Sequence, residues 1–490
     1  MVVKSQQQSS KLENFFNSNF ANKTKEFLNS KYNLALICLI IWLFWSLNIG
    51  FACIPLMAVE FISTLIFCND NPKAIILPII SISLMFNNLS DSMTLVVCCV
   101  AAAVIALCVY IICKIFVQKT QIKKGKLFRP YVLVLVANAL AGVIGHFELK
   151  AFFITLALGL LLYFLYWFSI NFIKNYKEYF AWCLIFMSFI IALELVVAYA
   201  RMPNVLEAFS TKSVRIGTGE INSHALFLVS GLISSFYLAT KAQITKTRIL
   251  FVLLALLQDI VIFFTFSRLS LLAAALVNLI FIIILFKNSK YKKNLLIIGG
   301  CVLCVGLLVC VICFNKISNV LGFYLKTGFG LNGRDVLWPW CIEIFKQNPI
   351  FGFGFITRDF SVIEGSTITI NSTGTYAQIM AHNTILHYLV CTGIVGLILN
   401  IPFYIQKFRL LCQRPFSQRL FCFLNILMFE LVSLMDASCA HLFNIILVYL
   451  LLGLNESEGY IETETKENVK NEKDSSYTAE ENAEKQVAEN

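Results

Sequence analysis

The chain has 490 residues, of which 58% are hydrophobic and only 14% charged, and its mean hydropathy is +0.77. A water-soluble chain carries roughly a quarter of its residues as charges, so this one cannot cover a solvated surface; a soluble enzyme, a disordered chain and a nucleic-acid-binding protein are poor readings of it. The net charge of +11 hides an asymmetry, because residues 455–490 hold 11 Asp/Glu against 4 Lys and the basic excess lies elsewhere, in short packets between apolar runs. Such packets are the topology signal of a membrane protein.

In chain order, residues 1–32 are polar and lack an evident cleavable signal peptide, so they read as a cytoplasmic N-terminal segment. Apolar runs long enough to cross a ~30 Å hydrocarbon layer as helices then recur. The candidate spans are 33–51, 53–68, 74–90, 92–117, 130–146, 151–172, 179–199, 224–240, 247–265, 268–286, 294–314, 384–406, 418–434 and 438–454. The second and third are short and can also be read as one re-entrant pair, which gives twelve spans in place of fourteen. With the N-terminus inside, the short loops at 69–73, 118–129, 173–178, 241–248, 287–293 and 407–419 are all basic, and both termini fall in the cytoplasm. Two longer segments, 200–223 and 315–383, fall on the opposite side, where long connections are usually functional. The second contains an amphipathic helix candidate at 334–349 with two tryptophans suited to a headgroup layer, Trp338 and Trp340. Residues 455–490 read as an acidic, disordered tail.

The 17 cysteines lie mostly inside apolar runs, as small packing residues. The CxxC pairs formed by Cys301, Cys304, Cys310 and Cys313 have only Val, Leu and Ile between them and no closing loop, which favours packing over metal. Glu60, Glu194, Asp259, Glu430 and Lys114 lie within spans, where a charge is costly and by default a functional candidate. The four acids suggest a proton or cation path, hence a transporter. They share no helical stripe, and paired packing is the plainer reading.

The predicted outer face is more specific. Arg215, Arg268, Arg334 and Arg358 all sit at or beyond span ends there. A guanidinium binds phosphate bidentately and stays charged, and a lipid-linked phosphate or pyrophosphate lies at that level. Each arginine singly could be a headgroup anchor; four together favour an anion site. His146 and His441 have no distinctive context, and His224 opens a span. His382 ends the large loop and would face the arginines, where a neutral imidazole can take a proton from an attacking hydroxyl. His382 and His387 could also pair on a metal, though no third ligand is evident. Asp335 is a second candidate base or ligand.

The stretches TFSRLSLL (265–272), NGRDVLWPW (332–340), NPIFGFGF (348–355) and AHNTILHYLVCTGIVGL (381–397) resemble the O-antigen ligase and O-antigen polymerase superfamily. The shared pattern is an Arg with a Trp soon after, Pro-x-x-Gly-x-Gly, then His-Asn and a Gly-x-x-Gly helix. Here those positions are Arg334, Trp338, Pro349, Gly352, Gly354, His382, Asn383, Gly393 and Gly396, and Arg215, Gly217 and Asn222 resemble an upstream loop motif. The resemblance spans roughly 215–400.

It implies an all-α, polytopic membrane helix bundle of about 12–14 transmembrane helices, with a GT-C-like glycosyltransferase architecture and a large extracytoplasmic loop. It implies an undecaprenyl-pyrophosphate-linked glycan as donor, inverting transfer, and no metal or other cofactor. His382 would be the general base, Arg215 and Arg268 would join it as catalytic groups on the departing pyrophosphate, and Arg334, Asn383, Trp338, Gly352, Gly354 and Asn222 would bind substrate. The implied organisation is a segment 1–32, a bundle 33–314 with outer loop 200–223, the loop 315–383, the last helices 384–454 and the tail 455–490, in a bacterial plasma membrane with the site on the extracytoplasmic face. A polysaccharide polymerase joining lipid-linked repeat units is the leading expectation. A ligase moving glycan to a lipid or other acceptor, and a transporter or flippase using the buried acids, are the alternatives. Membrane lipid, a chain-length regulator and other glycan-assembly proteins are the expected partners, and nucleic acid is not.

Overall fold

The computed structural model describes residues 18–47, 49–85, 93–145, 147–202, 215–216, 219–265, 267–287, 334–356, 381–413, 416–435 and 442–460, with scattered positions between 293 and 311. The described residues form a helical bundle, apart from a two-residue ladder of β1 (Arg215–Ile216) with β2 (Gly219–Glu220). Eight of its helices are long and apolar enough to cross a membrane, nine if a bent pair is counted as one more. The chain is a multi-pass membrane protein.

The bent pair opens it. Helices α1 (Asn19–Leu28) and α2 (Lys31–Ser46) meet at 63°. Each starts on a serine: Ser18 Oγ accepts from the Ala21 amide at 3.2 Å and Ser30 Oγ from the Asn33 amide at 3.1 Å, which satisfies a donor that a helix start leaves open. Helices α3 (Cys53–Phe67), α4 (Ile76–Met85), α5 (Met93–Ile112), α6 (Phe128–Leu140), α7 (Leu149–Phe172) and α8 (Lys177–Ala200) follow. The run 74–90 thus holds a ten-residue helix, and 86–92 lie outside the described residues. Helices α5 and α6 each run on into a π-turn, Cys113–Val117 and Ala141–Gly145.

After the ladder come α9 (Ile221–Lys241), α10 (Thr245–Phe264) and α11 (Arg268–Lys287). The amphipathic candidate is helical as α12 (Arg334–Gln347), and α13 (Thr384–Cys412), α14 (Phe416–Ser433) and α15 (Leu442–Tyr460) close the bundle. The expected span 294–314 falls mostly outside the described residues. Helices α8, α9 and α15 form the centre, where Phe180, Phe227, Leu228, Leu451 and Leu452 have no exposure at all. Around them α9 packs on α8, α10, α11 and α14, while α13 packs on α6. Helix α5 packs on α3 and has one buried side chain among its described residues, Tyr110, the behaviour of a lipid-facing helix.

The interior acids have separate partners. Glu60 accepts from Asn33 Nδ2, Glu194 from Ser46 Oγ at 3.3 Å, and Asp259 from Asn278 Nδ2 at 3.0 Å, while Glu430 is ion-paired to Lys407. That is the paired packing of the plainer reading. Two boundaries need correction. Lys407, placed by its sequence in a basic loop, lies inside α13 and is 2% exposed. The tail does not begin at 455, because α15 continues to Tyr460: Glu456 accepts from Tyr166 Oη, from Tyr460 Oη at 2.7 Å and from the Lys126 amide at 2.9 Å. Buried carboxylate bonds of this kind hold a helix end that hydropathy alone would release.

Candidate functional site

The site is built on a break. Gly393 (φ 65°, ψ −167°) interrupts α13 after its first nine residues. In an unbroken helix the amides of Ile394 and Val395 would donate to the carbonyls of Val390 and Cys391. Here they donate to Pro349 O at 2.9 Å and Ile350 O at 3.1 Å, and the two freed carbonyls accept from the amides of Phe353 and Gly354, both at 2.9 Å. Four polar backbone groups that a bilayer would penalise are thereby satisfied by one loop. Only glycine fits both sides of this clasp: a Cβ on Gly393 would overlap the Ile350 carbonyl, and one on Gly352 (φ 69°) the Cys391 carbonyl.

The far side of the loop is clamped as well. Phe355, 2% exposed, lies where a Cβ on Gly142 would be, inside the π-turn after α6, and its ring meets Phe147 and Phe152 at 6.0 and 5.7 Å. The next residue is held at both ends, since the Ile356 carbonyl lies 2.8 Å from His387 Nε2 and its amide 3.4 Å from Asn138 Oδ1.

The break also turns α13. A straight helix would separate Thr384 from Lys407 by about 35 Å. Yet Thr384 Oγ1 donates to Ser433 O at 2.9 Å and Lys407 pairs with Glu430, and these two partners are one helical turn apart on α14. The short piece before Gly393 therefore runs steeply across the axis of the longer piece after it.

His382 sits at the start of that short piece. Its φ of 46° is left-handed, a state that costs a non-glycine residue about 1–2 kcal/mol. The neighbours on both sides are fixed. Trp338 Nε1 donates to Ala381 O at 2.9 Å; Asn383 caps the helix by accepting from the Leu386 amide at 2.9 Å and donates through Nδ2 to Leu434 O at 2.8 Å. Beneath lies a small apolar core of Leu337, Cys341, Ile344, Ala381, Val390 and Cys391 joining α12 to α13. Burial pushes the Cys341 thiol up to about 12, so it packs there as an uncharged group. His382 itself is partly exposed.

The structure thus joins six of the residues chosen from sequence, Arg334, Trp338, Gly352, Gly354, His382 and Asn383, in one unit of α12, loop and broken helix. Trp338 and Asn383 hydrogen-bond to backbone groups, and Gly352 and Gly354 lie in the clasp. Arg334 opens α12 half-buried, with Asp335 exposed beside it. Arg268 opens α11, which packs on α14, the helix whose end receives Asn383 and Thr384. Arg215 lies in β1 opposite Glu220, and the ladder rests on α8 and α9. Asn222 is in the first turn of α9; its side chain and that of Arg215 lie outside the described residues, as do Gly217, Arg358, His146 and His441. Three residues of the unit escaped the sequence reading: Asn138, Gly142 and Phe355. The Gly-x-x-Gly of 142–145 gave no sign of what it receives, because its partner is more than 200 residues away.

The fold and this unit define a polytopic helical membrane protein with a candidate site at a clasped helix break. Residues 249–401 match the sequence model of the family described as O-antigen ligase, so this stretch is similar to that family. It covers less than a third of the chain, from α10 through the clasp and into the second piece of α13. No curated protein matches the chain significantly. The match supports glycan transfer of the lipid-linked type in general terms.

Proposed function

We propose that this protein is an inverting, metal-independent glycosyltransferase of the plasma membrane. It transfers an undecaprenyl-pyrophosphate-linked glycan to a hydroxyl of a second lipid-linked repeat unit, on the extracytoplasmic face, with both termini in the cytoplasm. The observation that carries the reading is His382: a partly exposed histidine on a strained left-handed backbone, fixed on either side by Trp338 and Asn383. Strain retained by surrounding bonds is characteristic of functional positions, and a general base must be held against the proton it removes.

In this scheme His382 accepts the proton of the attacking hydroxyl as oxygen bonds to the anomeric carbon. The bond from that carbon to the pyrophosphate breaks, and the electron pair leaves with the diphosphate lipid. Arg215 and Arg268 offset the charge that accumulates there, the largest catalytic term in reactions of this kind. Arg334, Trp338, Asn383, Asn222, Gly352 and Gly354 bind the donor in this scheme. Membrane lipid surrounds the polyprenyl tail, and a chain-length regulator fits as a protein partner.

The test is a purified assay with a synthetic polyprenyl-pyrophosphate oligosaccharide, with and without a second acceptor. Extension of the lipid-linked unit alone supports polymerisation; transfer only to the added acceptor supports the ligase alternative. His382→Ala is expected to remain folded and to lose at least about a hundredfold in rate. Normal turnover in that variant would remove the base assignment. Activity lost instead on replacing Glu194, Asp259 or Glu430, with His382→Ala normal, would favour a transporter.

A further inference from the structure

Lys407 is buried and Glu430 half-buried, the two are ion-paired between neighbouring apolar helices, and the chemistry proposed above does not use them. Lys407 is 2% exposed, and its ammonium lies 3.9 Å from the Tyr404 ring centroid with Phe403 and Phe408 further off at 5.7 and 5.6 Å. Its carboxylate partner comes from the neighbouring helix, α14. Buried ion pairs are weak sources of stability compared with apolar packing; their better-attested use is to fix register between elements. The question is which register this one fixes.

The contacts along α14 answer it. Glu430 stands one turn before Ser433 and Leu434, whose carbonyls accept from Thr384 and Asn383, the two residues that follow His382. The same turn of α14 therefore grips α13 twice, at Lys407 on the piece after Gly393 and at 383–384 on the piece before it. The polypeptide between the grips is the broken segment closed by the 349–354 clasp. Without the ion pair, α14 could slide or rotate against the longer piece of α13 and carry the Ser433 and Leu434 carbonyls with it. The shorter piece, with His382 at its start, would follow.

We propose that Lys407 and Glu430 are positioning residues for His382: their ion pair sets the register of α14 against α13 and so places the candidate base. The proposal rests on the reading of His382 as the base. The two residues touch each other across α13 and α14.

The test uses the full-length protein in the lipid-linked oligosaccharide assay, with rates expressed per folded molecule as judged by monodisperse elution. Lys407→Met is expected to lower kcat by about tenfold to a hundredfold, the range for a base displaced by about 1 Å, with KM for the lipid-linked donor little changed. The reversed pair Lys407→Glu with Glu430→Lys is expected to recover most of kcat, because register needs opposite charges and not a particular residue on either helix. A purely structural role would lower the yield of folded protein and leave kcat per folded molecule intact, and that result overturns the proposal. So does a reversed pair that folds but stays slow, and so does failure of both variants to fold, which would make the pair a folding requirement. His382→Ala is run alongside. If it keeps full turnover, the base assignment fails; if it is inactive while Lys407→Met is normal, only the positioning claim fails.

Discussion

Helices α8 and α13 both exceed twenty residues and both lie in the bundle, but they solve the backbone problem differently. Helix α8 runs unbroken over its 24 residues and buries Phe180, Ala181, Leu184, Met187 and Ile191 in the central core. Its peptide groups satisfy one another, so its packing partners need only be apolar. Helix α13 is broken by Gly393, and its freed groups are satisfied by a loop some forty residues earlier. A regular helix tolerates small changes in its neighbours. A helix repaired by another segment transmits them, and the candidate base sits on the repaired one.

The sharpest way to break this contrast is to add a methyl group at the repair. Gly393→Ala must place a Cβ on the Ile350 carbonyl at φ 65°, and we expect a loss of at least about 2 kcal/mol together with activity. In α8, Ala181→Gly removes a methyl from a fully buried position and should cost about 1 kcal/mol; thermal unfolding in detergent compares the two. If the two losses are equal, the clasp carries no special strain.

Next in size is Gly142→Ala, whose Cβ meets the ring of Phe355. A loss of about 1–3 kcal/mol is expected for such overpacking, partly relieved by adding Phe355→Leu. No relief in the double variant would show that the ring is not what fills the π-turn.

Smaller again is Trp338→Phe, which keeps the ring and removes the donor to Ala381 O. About 1 kcal/mol of stability and a disproportionate fall in kcat are expected, since the bond fixes the residue before His382. An unchanged kcat would detach Trp338 from the base.

The smallest effect lies at Asp70, in the turn after α3. Burial draws its carboxyl upward, but the bonded Lys25 ammonium, 2.8 Å away, outweighs it and the net shift is below the usual carboxylate range. A depressed carboxyl contributes stability above its unfolded value and loses it as pH falls through the folded one. Both groups are well exposed, so Asp70→Asn should cost less than about 1 kcal/mol at neutral pH and flatten the acid limb of a stability profile.

Much of this was legible in the residues. Apolar runs located α2, α3 and most of α5 through α11, because a helix in lipid needs only length and hydropathy. Trp338, Gly352, Gly354, His382 and Asn383 were legible as one group, because a site assembled from a single stretch keeps its order in the chain. Lys407 was misread because a charge near the end of an apolar run looks the same whether it faces water or a carboxylate on the next helix. Residues 455–460 were misread for the same reason: Glu456 is polar by composition and buried by its partners.

By itself the sequence determined the solvent: a chain this apolar, with charges in packets, must place helices in a bilayer, and that follows from transfer energies residue by residue. Only the tertiary structure decided that Gly393 is a break and not a helical glycine, and that residues 349–354 are its complement. Glycine permits a positive φ without requiring one; the choice was made by four backbone groups that found their partners across the clasp.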